Sequence, residues 1–437
     1  MKDKIYKFDK VLIFFAVLYP VMPAYFKIVG FSFPNLCCIS FVLMALIYKK
    51  IRLVLKKNIV VFSLLLWMMV NAFIYIYHSY YFGAIWTICT VIAGLIYVDN
   101  IKKQSVFINI IIAIVYVSGV ICLLGIIEAI SGFNIFSFLN TSGDKIMINP
   151  ARFGLTRIVG FSYQTISYSV YMIICACFAV YLLNLKNVLN NRSIVRVRCI
   201  YILIVINIFL SLSRSAIIIF LMSQMLFLWK MGMKKVIKTI VIAFFICCIL
   251  LFFLSYIAPS VFHQVKNLYY MIIAVFDSNY TSFISKEFGK DNLNAIGTRT
   301  DIYGWVYEKV RNNLLLGVGF KTPFSYKYDS GNLWHTMITK SAIEVEYLLT
   351  LYESGIIGLL SEIFVFLSLI CSCLKNNFKC TVWENKISFN FLSFVIFISM
   401  ILMYFMVNQS SEQYVFNILI CLFLAYNFRI KKGVNNI

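Results

Sequence analysis

Glu344-Val-Glu346-Tyr-Leu-Leu-Thr-Leu-Tyr-Glu353-Ser-Gly355-Ile-Ile-Gly358-Leu-Leu joins two kinds of chain. Before it lies a polar, tyrosine-rich stretch of 85 residues, 260–344. After it the run 345–370 is apolar and long enough to cross the roughly 30 Å hydrocarbon core of a bilayer as a helix. Three carboxylates therefore stand at the mouth of, and inside, a membrane helix, where an ionisable group is costly and points to function. A simple anchor or small-solute pore has little use for such a segment.

Working outward, the same apolar texture recurs along the chain, which is 62% apolar and 13% charged. Twelve runs are of spanning or near-spanning length: 11–31, 34–48, 59–77, 82–98, 106–130, 162–184, 199–212, 213–229, 239–259, 345–370, 387–407 and 412–428. They lack the alternation of membrane strands, so the expected fold is an all-α integral membrane protein of about 12 helices. The pair 199–229 also fits a kinked or broken helix, because Ser211-Leu-Ser-Arg214-Ser sits at its join. The first run holds Pro20, Pro23 and Lys27, shows no small-residue cleavage site and reads as retained.

The net charge of +22 invites a nucleic-acid reading, which its distribution opposes. With an inner N-terminus and alternating sides, the inner segments 1–10, 49–57, 99–105, 185–198, 230–238, 375–386 and 429–437 hold 25 of the 39 Lys and Arg but four acids. That is the positive-inside pattern, with both termini inside; the basic excess then reflects topology and anionic lipid, with no nucleic-acid partner. Long loops cross largely regardless of charge, so basic residues in 260–344 do not contradict it. Of the thirteen Cys, all but Cys380 fall in apolar runs or just past the end of one, and they read as small hydrophobes rather than a disulfide or zinc framework.

Two outward segments stand out, 131–161 with Asp144, Arg152 and Arg157, and the larger 260–344. With no repeat or linker, 1–437 reads as one membrane domain with an outer cap. Inside the cap, Thr298-Arg-Thr-Asp301 has the form of a helix start. Ile302, Trp305, Val306, Val310 and Leu314 follow at helical spacing, predicting an amphipathic helix on the membrane or over the bundle, ended by Gly317 and Gly319. Val265 to Phe276 is a second candidate helix. The fifteen aromatic residues of the cap, among them Trp305, Tyr326 and Trp334, suit an interfacial belt or platforms for sugar rings.

Arg214 interrupts an apolar run, where a guanidinium must reach an interface, a partner or an aqueous cavity. Its fixed fork of donors suits a phosphate or carboxylate; an ion pair with Glu353 is the plainer alternative. Arg157, with Arg152 before it and Arg299 at the cap helix, would complete an anion clamp, and a diphosphate is the obvious anion at a membrane surface. Glu346 and Glu353 share a helix face, about 10 Å apart. A partly desolvated Glu344 or Glu346 could take a proton from a sugar hydroxyl. His78, His263 and His335 show no metal spacing, and His335, in the cap, could contact substrate. No P-loop, dinucleotide fingerprint or hydrolase elbow occurs.

Four stretches together resemble the O-antigen ligase and polymerase superfamily of bacterial membrane proteins. They are Arg157-Ile-Val-Gly160-Phe, Ser211-Leu-Ser-Arg214-Ser-Ala, Arg299 through Trp305 to Leu316-Gly-Val-Gly319, and Leu348 through Glu353-Ser-Gly355-Ile-Ile-Gly358. Ligases of that group carry a His-Asn pair eleven residues ahead of the first glycine of the last motif; here Glu344 and Val345 stand there. The departure favours a repeat-unit polymerase of the Wzy type.

The resemblance implies transfer of a growing glycan from undecaprenyl diphosphate to a hydroxyl of the next lipid-linked unit, at the outer face of the bacterial cytoplasmic membrane. Arg157, Arg214 and Arg299 would hold the diphosphate, with Arg152, Glu353, Trp305 and His335 in support, and Glu344 or Glu346 would serve the hydroxyl. No metal or other cofactor is implied. A chain-length regulator and a flippase of the same pathway are the implied partners. The alternatives are a ligase and, from another class, a lipid-oligosaccharide flippase, which should show related halves.

Overall fold

A computed structural model describes residues 7–51, 58–141, 156–186, 188–232, 294–320, 322–329, 337–340, 343, 345–376, 378–406 and 414–431, with single positions at 252, 255, 256, 259 and 266. The described chain is an all-α bundle. Its helices are α1 (Lys7–Val21), α2 (Phe33–Ile47), α3 (Ile59–Tyr77), α4 (Tyr81–Asn100), α5 (Gln104–Ser131), α6 (Thr165–Leu183), α7 (Asn191–Leu210) and α8 (Arg214–Met231). They continue as α9 (Asn294–Val310), α10 (Glu346–Lys375), α11 (Phe389–Met406) and α12 (Tyr414–Ala425), the last running into a π-turn, Tyr426–Ile430. Six of the described helices, α3 to α7 and α10, are long and apolar enough to cross a membrane; α2, α8, α11 and α12 with its π-turn are shorter apolar helices. The expected span 239–259 and the candidate helix 265–276 lie outside the described residues, apart from the single positions.

Helix α6 is the central post. Of its spanning window 83% is buried, against 22% for α7, and it packs on α5, α7, α8, α11 and α12. Phe14, Phe62, Ile202 and Trp229 point outward instead, the inverted pattern that a hydrocarbon solvent permits.

Two runs differ from the sequence reading for a local reason, and a third divides where it was expected to. The first run does not extend to residue 31: α1 stops at Val21, Pro20 and Pro23 bracket its end, and Lys27–Ile28 (β1) pairs with Phe31–Ser32 (β2) in a short hairpin. Thr141 clamps that hairpin, its Oγ1 donating to the Lys27 carbonyl at 2.7 Å and accepting from the Lys27 N–H at 2.8 Å. The runs 199–212 and 213–229 are two helices as expected, parted at 211–213 where Leu212 takes a left-handed φ of 52°, though the first begins earlier, at Asn191. The run 345–370 is interrupted at Gly355 (φ 66°, ψ −167°).

At the end of the bundle where α1 begins, buried polar groups knit the helices together. Glu384 accepts from the hydroxyls of Tyr181 and Tyr426 and from the N–H groups of Thr381 and Phe389. Arg429 pairs with Asp99, which is 2% exposed. Two of the four acids in the segments read as inner, Asp99 and Glu384, are thus internal struts. All described cysteines are free thiols; Cys199, Cys371 and Cys380 are exposed rather than buried.

Candidate functional site

The opposite end gathers the sequence motifs, and two backbone breaks organise it. The first is the α7–α8 turn. Its backbone groups, freed from the helix ladder and buried, need partners, since no water substitutes for them at membrane depth. Arg157 supplies one: its Nε donates to the Ser211 carbonyl at 3.2 Å. Ser211 Oγ turns back to the Ile208 carbonyl at 2.6 Å and accepts the Ser213 N–H at 3.4 Å. Arg157 is half-buried and makes further interactions, so it is a fixed part of this corner. Arg214, the first residue of α8, follows immediately; its side chain lies outside the described set.

The segment carrying Arg157 is itself held by a carboxylate that the sequence reading passed over. Glu128, near the end of α5 and 4% exposed, accepts the N–H groups of Val159 (3.0 Å) and Gly160 (2.9 Å), one on each oxygen. Asn134 Nδ2 donates to the Gly160 carbonyl at 2.8 Å. Gly160 sits at φ 59°, and a Cβ there would come 2.5 Å from the Tyr168 ring. Tyr168 in turn donates to Asn207 Oδ1 at 2.8 Å, and Asn207 Nδ2 reaches the Cys122 carbonyl at 3.1 Å, tying α6 to α7 and α5. The signal for Glu128 was available: a lone carboxylate inside an apolar run is a functional candidate by default.

The second break is Gly355 within α10. Interrupting a helix strands carbonyls before the break and N–H groups after it. Here the segment 314–319 meets both sets. Val318 and Gly319 donate to the carbonyls of Tyr352 (2.7 Å) and Glu353 (3.1 Å), while Ile356 and Ile357 donate to those of Leu314 (2.9 Å) and Leu315 (3.2 Å). The approach is close enough that a Cβ on Gly317 would lie 2.6 Å from the Gly355 nitrogen, and one on Gly355 would lie 2.5 Å from the Gly317 nitrogen. Gly317 and Gly319, read from sequence as helix stops, are therefore the plug of a broken helix; α9 has already ended at Val310 in a 3-10 turn. His78, at the end of α3, closes the assembly, its Nε2 lying 3.1 Å from the Leu316 carbonyl and its ring against Gly319. A carbonyl only accepts, so Nε2 carries the proton in that bond.

The break also redirects the helix. Thr350 Oγ1 donates to Glu362 Oε2 at 2.8 Å, although twelve residues of straight helix span about 18 Å. The opening half, 346–354, therefore folds back over the second half. Glu346 is its first residue and 4% exposed, and Glu353 is partly buried, within electrostatic range of Tyr75 on α3. Glu362, also absent from the sequence reading, is the third carboxylate of this helix.

The cap helix α9 starts at Asn294, four residues before the expected Thr298. Ile302, Val306 and Val310 are buried and pack with Phe324, Ile343, Val345, Leu348 and Tyr352, so this stretch sits on α10 instead of lying flat on lipid. Trp305, expected on the apolar face, is 37% exposed. The side chain of Arg299 and all of Arg152, His335 and Glu344 lie outside the described residues. Between α9 and α10 a hairpin forms from Tyr326–Asp329 (β3) and Met337–Lys340 (β4). Among the described residues no His, Cys, Asp or Glu group could hold a metal ion.

The structure thus joins Arg157 to the Ser211–Arg214 turn, and the Gly317–Gly319 motif to the Glu353–Gly358 motif, across gaps that sequence spacing could not bridge. Residues 199–362 match the profile of a family described as O-antigen ligase. This match, over less than half of the chain, supports the O-antigen ligase and polymerase superfamily, a group of membrane enzymes with glycosyl-transfer activity. A search of curated proteins found no match.

Proposed function

We propose that this protein is a membrane glycosyltransferase that polymerises undecaprenyl-diphosphate-linked oligosaccharide repeat units into O-antigen or capsular polysaccharide. The observation that carries the reading is the hydrogen bond from Arg157 to Ser211, which brings two arginine motifs, 54 residues apart in sequence, to one corner. Guanidinium groups held beforehand in a partly dry corner stabilise charge as it develops, without reorganising.

In this reading Arg157, Arg214 and Arg299 hold the donor's diphosphate. A hydroxyl of the acceptor unit attacks the anomeric carbon; the new glycosidic bond forms as the bond to the diphosphate oxygen breaks. The hydroxyl proton passes to Glu344 or Glu346, and the lipid diphosphate departs with its added negative charge on the arginines. The donor is already activated, so the step draws on no metal and no nucleotide. The positive-inside count puts this end of the bundle at the outer face of the cytoplasmic membrane, with both termini inside. Glycan-binding aromatics, a chain-length regulator and a flippase complete the proposed setting.

The ligase reading has the described family name in its favour. Against it stands Val345: where that group carries the Asn of its His-Asn pair, this chain has a 3% exposed apolar residue packed beside Ile302 and Val306. The test is the length distribution of surface glycan in cells carrying Arg214→Ala. Glycans one repeat long support the polymerase. Unchanged long chains overturn the assignment of Arg214, long chains stranded on the lipid carrier favour the ligase, and lost export favours a flippase.

A further inference from the structure

At the basic end, far from the arginine corner, α1, α2, α4 and α5 line a cavity of about 450 Å3 that carries, among the described residues, Lys7, Lys50, Lys102 and Lys103 against one acid, Asp9. An apolar groove of about 660 Å3 lies between α1 and α2, lined by Phe14, Leu18, Phe33, Leu36, Ser40 and Met44 among others. The two are consecutive. On α1, Leu18, Phe14, Val11 and Lys7 follow one another at spacings of four, three and four, which is one stripe of a helix. On α2, Phe33, Cys37, Ser40 and Met44 lead in the same way to Tyr48 in the wall of the basic cavity. The same two helices therefore offer an apolar trough that opens into a cluster of ammonium groups.

We infer that this paired groove and cavity bind one anionic glycerophospholipid of the adjoining leaflet, an acyl chain along α1 and α2 and the phosphate among the lysines. The wall is built rather than incidental. Asn100 Nδ2 donates to the Lys50 carbonyl at 3.0 Å and to the Ile96 carbonyl at 2.8 Å, tying the end of α2 to α4. Lys50 N–H reaches back to the Ala45 carbonyl at 2.7 Å around Lys49, whose φ is 52°, so the backbone that carries Lys50 is set by a helix-terminating turn. Lys103 caps α5, its carbonyl accepting the Phe107 N–H at 3.1 Å. Asp99, the acid nearest in sequence, is engaged by Arg429 and does not line the cavity.

Charge chooses the headgroup. Four ammonium groups against one carboxylate favour a net negative lipid, whereas a choline or ethanolamine head would bring a further cation among them. The trough argues for a lipid over free phosphate, since Phe14 is 63% exposed and has no use for a soluble anion. The site stands whether or not the transferase reading does.

The test uses the full chain, purified in mild detergent and exchanged into nanodiscs of phosphatidylglycerol or phosphatidylcholine, with retained lipid counted by native mass spectrometry. The variant combines Lys7→Ala, Lys50→Ala and Lys102→Ala, all exposed positions. Its control combines Lys186→Ala, Arg196→Ala and Lys379→Ala, exposed positions at the same end with equal charge removed. Phosphatidylglycerol affinity is expected to fall about 100-fold in the first and no more than about threefold in the control, at roughly one tenfold step or less per lysine. Ser40→Trp, which fills the trough, is expected to weaken phosphatidylglycerol and leave glycerol phosphate binding unchanged. Equal losses in variant and control, equal retention of phosphatidylcholine, or Ser40→Trp without effect on the lipid would each overturn the proposal.

Discussion

Arg157 Nε and the Ser211 carbonyl oxygen stand 3.2 Å apart, and the bond comes from a donor position on the stem side of the guanidinium that a lysine side chain lacks. Arg157→Lys keeps the charge, loses the anchor and leaves the turn before Arg214 without its partner. The expected result is a drop of roughly tenfold or more in polymerisation, since bonds from charged donors contribute about 1.5–3 kcal/mol. Surface glycan length in cells, beside protein level in membranes, checks it. Full-length glycan from Arg157→Lys would mean that charge alone suffices and that the bond is incidental.

Glu128 does a different job, and Glu128→Gln isolates it. The carboxylate accepts two backbone N–H groups, one per oxygen. An amide keeps one acceptor and turns a second donor on its partner N–H, so one bond is lost and one clash gained. Burial makes that costly, about 1–3 kcal/mol. The purified variant is expected to melt lower and to lose activity together with the displaced Arg157; an unchanged melting curve would show that Glu128 does not hold the 157–160 segment.

Gly317 and Gly355 meet backbone to backbone, so neither clash can be relieved by a side chain rotating away. Both also have positive φ, 74° and 66°. Gly355→Ala and Gly317→Ala are each expected to destabilise by more than about 2 kcal/mol. Gly304→Ala, on the exposed face of α9 with open space about it, is the contrast and should be neutral or slightly stabilising. Thermal unfolding followed in detergent decides between them.

What could be read in advance follows from how local its cause is. Run length alone gives α3 to α6, because the hydrocarbon imposes a length and apolar residues answer it one by one. Pro20 and Pro23 mark the end of α1 locally, although the run's hydropathy continues past them. The break at Gly355 is another matter. Nothing in Glu353-Ser-Gly355-Ile-Ile prevents a straight helix until 314–319 is there to accept its stranded groups, and that partner lies some forty residues upstream. The arginine corner was legible as a set of motifs, through resemblance, but its geometry depends on Leu212 taking a left-handed turn that a leucine does not advertise. Glu128 and Glu362 were legible as charges in apolar runs and were hidden by the weight of their neighbours.

The two candidate bases can be separated because burial differs in kind from reach. Glu346 is 4% exposed, opens α10 and makes interactions of its own, so it stabilises the helix start whatever else it does. Glu344, two residues earlier in sequence, lies outside the described residues. If Glu344 takes the proton, Glu344→Gln lowers the turnover of lipid-linked repeat units in a reconstituted assay by roughly 100-fold or more, with the melting temperature unchanged. Glu346→Gln then lowers the melting temperature and costs less than about tenfold in turnover. The reverse pattern, Glu346→Gln inactive at unchanged stability, would move the base to Glu346 and require the opening turn of α10 to admit the acceptor sugar.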